Sequence, residues 1–429
     1  MKYPLKISKN RRYLVDQKGV PFLLQGDAPW SLIVGIPKED AVLYLENRKQ
    51  KRFNTLLVNL IEHKFCKNPP NNFYNEPPFL KPGDFSSPNE AYFEHADRII
   101  GMAAEKNIQI LLCPLFLGQP GTDEGWYEEL IRQSSSQCLE YGSYLGKRYS
   151  QFDNIIWSLG CDRNPQLSEL ERMNLIALGI KEHDKRHLMT AQCLPEFSSV
   201  DIYSGGGWLD INATYTYSIP HRKILFDYNK SPVMPVFLIE STYEGEHNSS
   251  HVQIRRQAYW SILSGGFGHV FGNYAIWPFG QQFGNKTMWP PAPGIWQEEL
   301  NKLGSMSMYH WGNLFRSRPW YDLIPDQKHE VITGGLGEFR GLEFTGAART
   351  ADGSCTIAYT PTARPIEADL SKMGPNRVNV WWYDPATGKS IHVGEYSATG
   401  KREFSPPENG DWVLILDDAS KSFSVPGIN

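Results

Sequence analysis

The chain has 429 residues, which is enough for a barrel-sized domain and a second, smaller one. Its hydrophobic content of 41% supports a large core and excludes a disordered or fibrous protein. A formal net charge of −4 argues against nucleic acid or an anionic membrane as a partner.

The first residues, MKYPLKISKN, lack the apolar segment of a signal peptide, and no later stretch has the pattern of a membrane span. The sequence therefore predicts either a cytoplasmic protein or a chain from which an export signal has been removed. The six cysteines show no CxxC and no regular spacing, a pattern typical of free thiols and not of a disulfide framework.

Strand and helix patterns alternate through the first two thirds of the chain, which is typical of a parallel sheet built from strand–helix units. We predict strands at Pro21–Gln25, Thr55–Asn59, Ile108–Pro114, Ile155–Leu159, His187–Gln192, Asp210–Tyr215, Val236–Glu240 and Gly268–Gly272. Helices are predicted at Pro37–Lys51, Asn89–Lys106, Tyr127–Tyr149, Glu169–His183 and Ser249–Ser264.

The spacing of these strands favours a closed (β/α)8 (TIM) barrel. From Gly26 to Gly272 is 246 residues, and such barrels use about 250. A doubly wound open sheet has the same alternation, but no GxGxxG or GxxxxGK[ST] motif follows the first strand. We therefore expect an α/β fold in which residues 1–327 form the barrel domain, with an N-terminal hairpin in residues 1–20.

Beyond Lys328 the pattern changes to short strands separated by Gly, Pro and Asp turns. This pattern predicts a small antiparallel β-sandwich over residues 328–429. Trp381, Trp382 and Trp412 form either a carbohydrate-binding face or part of the sandwich core, and the core is favoured.

Two loops of the barrel are unusual. Residues Lys64–Pro88 are rich in Pro, Asn and Phe and too long for an ordinary connection, so we expect a functional loop over one face. Phe116–Trp126 is a second loop rich in aromatic residues and glycine.

Two acids end apolar strands at opposite parts of the predicted barrel. Asp162 follows the fourth strand in NIIWSLGCDRN, and Glu240 ends the seventh strand, VFLIE. Catalytic groups of TIM barrels lie at these strand ends, and glycoside hydrolysis needs two facing carboxyl groups. Alternatively, Asp162 caps the helix that follows it and Glu240 pairs with an arginine.

Four stretches resemble one known family: FLLQGDAPW, NIIWSLGCDRNP, FLIESTYEGE and the C-terminal WWYDPATGKS with FSPPENGDWVLILDD. They look like the apiosidase-like bacterial glycoside hydrolases, whose barrel is followed by a domain named as collagen-binding. The resemblance implies a retaining reaction with Asp162 as acid/base and Glu240 as nucleophile. The chain departs from the family at Cys161, where relatives usually carry glycine, and at Ala191-Gln192-Cys193, where a His-containing turn is common. Both departures concern substrate contacts.

Other polar and aromatic residues near the predicted strand ends are candidates for substrate binding. Trp277 is a candidate for the floor of the pocket, and Tyr215 or Tyr217 for donating a hydrogen bond to Glu240 that keeps it ionised. For each candidate an ordinary loop or core position is the alternative. The complete set is Asp27, Trp30, Asn59, Arg163, Asn164, Gln192, Asn212, Tyr215, Tyr217 and Trp277.

The 11 histidines include no HExxH motif and no strand with HxH, so we expect neither a metal nor another cofactor. The favoured hypothesis is a glycosidase that acts on a plant- or host-derived glycan. A non-catalytic carbohydrate-binding barrel is the alternative, and a metal-dependent hydrolase is disfavoured by the missing ligands. The sequence does not predict the sugar, the linkage or the oligomeric state.

Overall fold

A computed structural model of the chain describes residues 1–66, 68–279, 295–374 and 376–428. The chain starts with a three-stranded antiparallel sheet of β1 (Lys6–Ile7), β2 (Leu14–Val15) and β3 (Pro21–Phe22). The prediction that the first barrel strand starts at Pro21 is wrong, because Phe22 pairs with Leu14 in this small sheet.

Eight parallel strands form the central barrel sheet, which confirms the predicted fold class. They are β4 (Leu24–Asp27), β5 (Thr55–Asn59), β6 (Gln109–Cys113), β7 (Ile155–Gly160), β8 (Met189–Gln192), β9 (Asn212–Tyr215), β10 (Val236–Glu240) and β11 (Gly268–Phe271). Their order in the sheet is β8-β7-β6-β5-β4-β11-β10-β9. The two edge strands meet where the carbonyl oxygen of Met189 accepts from the backbone N–H groups of Asp210 (2.9 Å) and Ile211 (3.2 Å). The barrel is therefore nearly closed.

Ten α-helices are described. They are α1 (Lys38–Gln50), α2 (Glu90–Glu105), α3 (Tyr127–Arg132), α4 (Ser135–Tyr149), α5 (Leu167–His183), α6 (Ser199–Tyr203), α7 (Pro220–Tyr228), α8 (His251–Leu263), α9 (Trp296–Glu299) and α10 (Leu303–Arg316). Within the described part of the chain, none of the helices has both the length and the apolar character that a bilayer crossing requires.

The predicted single helix over Tyr127–Tyr149 is wrong, because the chain forms α3 and α4 there. Ser134 caps the second helix: its hydroxyl accepts from the backbone N–H of Gln137, and the Gln137 side chain accepts from the N–H of Ser134. This capping box starts a new helix inside the predicted one.

The C-terminal part folds as two packed antiparallel sheets, as predicted. A six-stranded sheet has the order β12 (Leu323–Pro325), β14 (Gly346–Thr350), β15 (Cys355–Thr360), β20 (Trp412–Asp418), β17 (Arg377–Tyr383) and β18 (Ser390–Ser397). A three-stranded sheet has the order β13 (Ile332–Gly334), β16 (Ile366–Asp369) and β19 (Lys401–Phe404). Strand β12 thus begins before the boundary predicted at residue 328, and that boundary stays a prediction.

Two of the three tryptophans of interest lie in the core between these sheets. Trp382 and Trp412 are buried, and their rings lie 6.3 Å apart. Trp381 is partly exposed and its ring contacts His392, with a centroid distance of 4.4 Å. The favoured core position therefore holds for Trp382 and Trp412.

Two buried ion pairs join the barrel to the sandwich. Arg255 of α8 binds both carboxylate oxygens of Asp411 at 2.7 Å, and Arg318 binds Asp417 at 2.6 and 2.9 Å. Tyr359 adds a hydroxyl bond of 3.0 Å to Asp411. Because both pairs are buried, each charge depends on its partner for solvation.

We expect Arg255→Met to lower the free energy of unfolding by about 3–5 kcal/mol, since it leaves the Asp411 carboxylate buried without its charge partner. Urea denaturation followed by tryptophan fluorescence measures the change. The control is Arg98→Met, which removes an exposed pair with Glu94 and costs less than about 1 kcal/mol. Equal losses in the two variants would contradict the proposed role of the buried pair.

Candidate active site

A cavity of about 420 Å³ lies at the carboxyl ends of the barrel strands. Asn59, Tyr215 and Glu240 are the last residues of β5, β9 and β10, so the strands themselves aim these side chains at it. The cavity is lined by Trp30, Asn59, Lys64, Phe65, Phe116, Glu124, Asp162, Tyr215, Tyr217, Glu240, Tyr243, Glu246, His247, Tyr274 and Trp277. Of the predicted site residues, Trp30, Asn59, Asp162, Tyr215, Tyr217, Glu240 and Trp277 meet here.

Asp162 reaches the cavity from a turn with three consecutive residues in the left-handed region. The φ angles are 87° at Gly160, 79° at Cys161 and 48° at Asp162. Only glycine adopts this conformation without strain, and for other residues it costs about 1–3 kcal/mol and is found mainly at functional sites. A side chain at position 160 would also collide with the carbonyl oxygen of Gln192.

Three contacts hold this turn in place. The side-chain amide of Gln119 donates to the carbonyl oxygen of Asp162 (2.6 Å). The backbone N–H of Cys161 donates to the backbone carbonyl oxygen of Gln192 (3.0 Å). The thiol of Cys161 lies 2.9 Å from the thiol of Cys113, which ends β6. The turn folds the chain back, so that the short Asp162 side chain faces the cavity.

One amide group joins the two acids. Nε2 of Gln192 lies 3.5 Å from Oδ1 of Asp162 and donates to Oε2 of Glu240. Oδ1 of Asp162 and Oε2 of Glu240 are therefore no more than about two hydrogen-bond lengths, roughly 6 Å, apart. Gln192, predicted as a substrate-binding residue, lies between the acids and is fully buried.

Glu240 has a second donor in Tyr243, which sequence reasoning missed. The Tyr243 hydroxyl is hydrogen-bonded to the Glu240 carboxylate and accepts from the indole of Trp30 at 2.8 Å. The contacts of Tyr215 and Tyr217 give no support to the prediction that one of them donates to Glu240, and that role stays a prediction. Tyr243 is only three residues beyond Glu240, so the turn after β10 brings its hydroxyl to that carboxylate.

The two predicted tyrosines contact other acids of the cavity. The hydroxyl of Tyr215 is hydrogen-bonded to Asp162, and the hydroxyl of Tyr217 donates to Glu246 at 3.0 Å. Each of these carboxylates therefore has a phenol as a neighbour.

Burial dominates the electrostatics of the acid pair. It raises the pKa of Asp162 to about 7, and the neighbouring carboxylates of Glu124 and Glu246 add to this rise. Burial and the nearby Asp162 raise the pKa of Glu240 as well. Two carboxyl groups this close do not both ionise readily, which favours protonation of at least one of them near neutral pH.

Two predicted site residues have other roles in the fold. The buried carboxylate of Asp27 accepts from the Arg48 guanidinium and the Tyr44 hydroxyl, which ties β4 to α1. Asn212 is the first residue of β9, so it lies at the end of the strand opposite the cavity, and its side chain accepts from the N–H of Val200.

Arg163 and Asn164 also lie outside the cavity lining. Arg163 forms a two-pronged ion pair with Glu169, with N–O distances of 2.6 and 2.7 Å. The Asn164 side chain accepts from the N–H of Leu194 at 3.0 Å. Both residues fix the loop after β7, while the substrate roles predicted for them have no support in these contacts.

Several lining residues were not predicted individually, although the stretches that contain them were. Lys64 and Phe65 start the long loop after β5, and Glu124 belongs to the aromatic loop after β6. Tyr243 and Glu246 are part of FLIESTYEGE. The sequence signal that could have identified these lining residues is the clustering of aromatic and acidic residues just after the strand ends.

The two loops on this side of the cavity are tied to each other. The ammonium group of Lys64 binds the carboxylate of Asp123 at 2.8 Å. One ring nitrogen of His63 lies 2.8 Å from the carbonyl oxygen of Asp123, and the other lies 3.5 Å from the carboxylate of Glu129. These bonds fix the wall that carries Phe65 and Glu124.

The described residues contain no group of three or more His, Cys, Asp or Glu side chains arranged as metal ligands. The cavity displays one buried carboxyl group, that of Glu240, and one partly buried carboxyl group, that of Asp162, beside aromatic side chains.

Comparisons with known proteins agree with this geometry. The profile described as "Apiosidase-like, catalytic domain" matches residues 8–322, and "Putative collagen-binding domain of a collagenase" matches residues 324–417. No protein in the curated set matches the chain.

Solved structures with the same architecture include proteins that cover nearly the whole chain. A structure titled "Glycoside hydrolase" is 27% identical with a TM-score of 0.86, over 99% of this chain and 98% of its own. A glycoside hydrolase family 5 protein from Bacteroides vulgatus is 26% identical with a TM-score of 0.85, over 98% and 94%. The first domain profile alone covers well over half of the chain. The chain therefore belongs to the apiosidase-like family of glycoside hydrolases and is a glycosidase.

Proposed function

We propose that the protein cleaves a glycosidic bond with retention of configuration, with Glu240 as the nucleophile and Asp162 as the acid/base. The observation that carries this proposal is the Gln192 amide, which reaches both carboxyl groups. Retaining glycosidases hold their carboxyl groups about 5–5.5 Å apart, whereas inverting enzymes need about 6.5–9.5 Å to admit a water molecule. The upper limit of roughly 6 Å on the distance between Oδ1 of Asp162 and Oε2 of Glu240 favours retention.

The surroundings of the two acids support different protonation states. Glu240 accepts hydrogen bonds from Gln192 and Tyr243, and such donors stabilise a carboxylate. Asp162 has one such donor, Tyr215, and the carboxylates of Glu124 and Glu246 raise its pKa, although Glu246 raises the pKa of Glu240 too. We therefore assign a proton of the pair to Asp162.

These states fit the two steps of the reaction. Asp162 gives its proton to the glycosidic oxygen while the Glu240 carboxylate attacks the anomeric carbon and displaces the leaving group. Water then attacks the glycosyl–enzyme ester, and Asp162, now ionised, accepts a proton from that water. Glu240 is released as a carboxylate, and Asp162 is protonated again.

The walls of the cavity support a carbohydrate ligand. Trp277 and Phe65 contact each other with a centroid distance of 4.8 Å, and Phe116 lies edge-on to Trp30 at 6.1 Å. Together they form aromatic surfaces suited to the apolar faces of a sugar ring. The predicted plant or host origin of the glycan stays a prediction.

We expect Glu240→Gln to lower kcat/KM at least about 10³-fold, because the amide is a poor nucleophile. Hydrolysis of a panel of 4-nitrophenyl glycosides, including pentosides, provides the measurement. The matched control is Glu182→Gln, which makes the same change on an exposed part of α5 and retains wild-type activity.

Full activity in Glu240→Gln would reject the nucleophile assignment. Binding of sugars by the wild-type protein with no hydrolysis of any substrate would instead favour the non-catalytic carbohydrate-binding barrel.

Asp162→Asn is expected to lower kcat/KM by about 10²–10⁴-fold for substrates with an alkoxide leaving group, since these need a proton in the transition state. The loss in the glycosylation step should be much smaller with a dinitrophenyl leaving group, which departs without protonation. Asp153→Asn, an exposed aspartate before β7, is the control. An equal loss with both leaving groups would contradict the acid role.

The pH dependence should follow the proton on Asp162. Because only the protonated form donates to the leaving oxygen, kcat/KM should fall as the pH rises through about 7. The profile is measured from pH 4 to 10 with an alkyl glycoside. A rate that stays constant up to pH 9 would be inconsistent with Asp162 as the acid.

A further inference from the structure

Two cysteine side chains contact each other directly behind the turn that carries Asp162. The sulfur atoms of Cys113 and Cys161 lie 2.9 Å apart, and both residues are fully buried free thiols. The Cys113 thiol also donates to the backbone carbonyl oxygen of Leu115 at 3.1 Å. Neither thiol takes part in the proposed reaction.

This contact sets the two residues apart from the other cysteines. The thiols of Cys66 and Cys193 have backbone carbonyl oxygens as partners, those of Asn71 and Ser198. Within the described part of the chain, Cys113 and Cys161 are the cysteines whose sulfur atoms lie in direct contact.

The contact arises where two neighbouring strands end. Strands β6 and β7 pair in parallel, with Leu112 opposite Trp157. Cys113 is the last residue of β6, and Cys161 is the first residue after β7. Neighbouring strands lie about 4.8 Å apart, and the Cα atoms of a disulfide are usually about 4.4–6.8 Å apart. The turn after β7 therefore brings the second thiol within the range over which a disulfide joins two strands.

Little movement separates the two thiols from a covalent bond. A disulfide bond is about 2.05 Å long, so the sulfur atoms have to close a gap of less than about 1 Å. Cys161 is also the middle residue of the turn in which Gly160, Cys161 and Asp162 all have left-handed backbone. Such backbone persists only where the surrounding structure holds it. A bond from Cys161 to β6 supplies a covalent restraint at that point.

The two cysteines are 48 residues apart in the chain. A cross-link that closes a loop of this length removes much of the conformational freedom of the unfolded chain, and the stabilisation grows with the length of the loop. The same separation explains why no short cysteine motif marks the pair in the sequence.

Burial determines when such a bond forms. It raises the pKa of the Cys161 thiol, and the neighbouring Cys113, Asp162 and Glu240 add to the rise. Because the thiolate is the reactive form, the thiol of the folded protein reacts slowly. The bond is therefore formed while the chain folds, before the thiols are enclosed.

We propose that Cys113 and Cys161 are a site of disulfide formation, that the bond forms when the chain folds in the presence of a disulfide oxidant such as glutathione disulfide, and that it secures the turn carrying Asp162. One cysteine thiolate attacks glutathione disulfide, which forms a mixed disulfide and releases one glutathione thiolate. The second cysteine thiolate attacks the cysteine sulfur of the mixed disulfide and releases the second glutathione thiolate. The two cysteines thereby lose two electrons and two protons, and one glutathione disulfide becomes two glutathione thiols.

Peptide mapping tests the bond directly. The full chain is produced in bacterial cells with an oxidising cytoplasm and, in parallel, in cells with a reducing one. Both preparations are alkylated with N-ethylmaleimide in guanidinium chloride and digested with trypsin without reduction. Residues 107–132 form a tryptic peptide whose one cysteine is Cys113, and residues 149–163 form one whose one cysteine is Cys161. We expect these peptides to be joined in the oxidised preparation and separately alkylated in the reduced one.

Thermal unfolding tests the effect of the bond on the fold. The oxidised preparation should unfold at least about 3 °C above the reduced one. In Cys113→Ser this difference should vanish, because Cys161 has lost its partner. The matched control is Cys138→Ser, which alters a buried thiol on α4 and should keep the difference. If Cys113→Ser does not fold, the peptide map of the wild-type chain still decides whether the bond forms.

Alkylation of both peptides in the oxidised preparation would overturn the proposal, as would a disulfide from either peptide to another cysteine or a chain that folds only in the reducing cells. Equal unfolding temperatures despite the cross-link would contradict its role in securing the turn. Rapid and complete cross-linking of the folded, reduced protein by added glutathione disulfide would contradict formation during folding. None of these outcomes depends on the reaction that Asp162 catalyses.

Discussion

The structure of the site depends on a single buried amide, that of Gln192, placed between two carboxyl groups. At the end of β8 it donates to Glu240 and lies within reach of Asp162, while its backbone carbonyl accepts from Cys161 in the turn that carries Asp162. One residue therefore sets both the separation of the acids and the position of the turn. The distinction between retention and inversion follows from that separation.

The turn at Asp162 shows how the fold provides for a short acid. Asp162 carries its carboxyl one methylene closer to the backbone than a glutamate would, so the backbone itself must approach the cavity. It does so through the left-handed conformations of Gly160, Cys161 and Asp162. Contacts with Gln119, Cys113 and Gln192 stabilise the strained turn. Cys161 adopts the left-handed conformation for which glycine is suited.

Much of the fold could be predicted because the barrel strands are short and regularly spaced and several of them are mostly apolar. The runs that became β5 and β10 are buried at every residue, so hydrophobicity alone marks them. The presence of acids at strand ends then indicated where the site lies. The helix break at Ser134 was missed because the helical pattern of apolar residues continues across it, while the signal for a new helix is only the capping box of Ser134 and Gln137.

The contacts within the site could not be predicted to the same depth. Asn212 was placed at the cavity because the sequence does not show at which end of the apolar run β9 begins. Tyr243 was missed because the path of the turn after Glu240 decides which phenol reaches the carboxylate. For Asp27, the partner that binds its carboxylate, Arg48, comes from a helix 21 residues later in the chain. Such pairings follow from tertiary packing, which residue patterns do not encode.

The central claim, that Glu240 attacks the sugar, is tested most directly by trapping the intermediate. A 2-deoxy-2-fluoro glycoside of an accepted sugar, with a dinitrophenyl leaving group, slows the second step so that the glycosyl–enzyme ester accumulates. Intact-protein mass spectrometry followed by peptide mapping locates the adduct. The account predicts one equivalent of glycosyl group on the peptide that contains Glu240, with the ester at that residue. An ester on Asp162 or on another residue would contradict it, as would turnover of the unfluorinated glycoside with inversion of configuration.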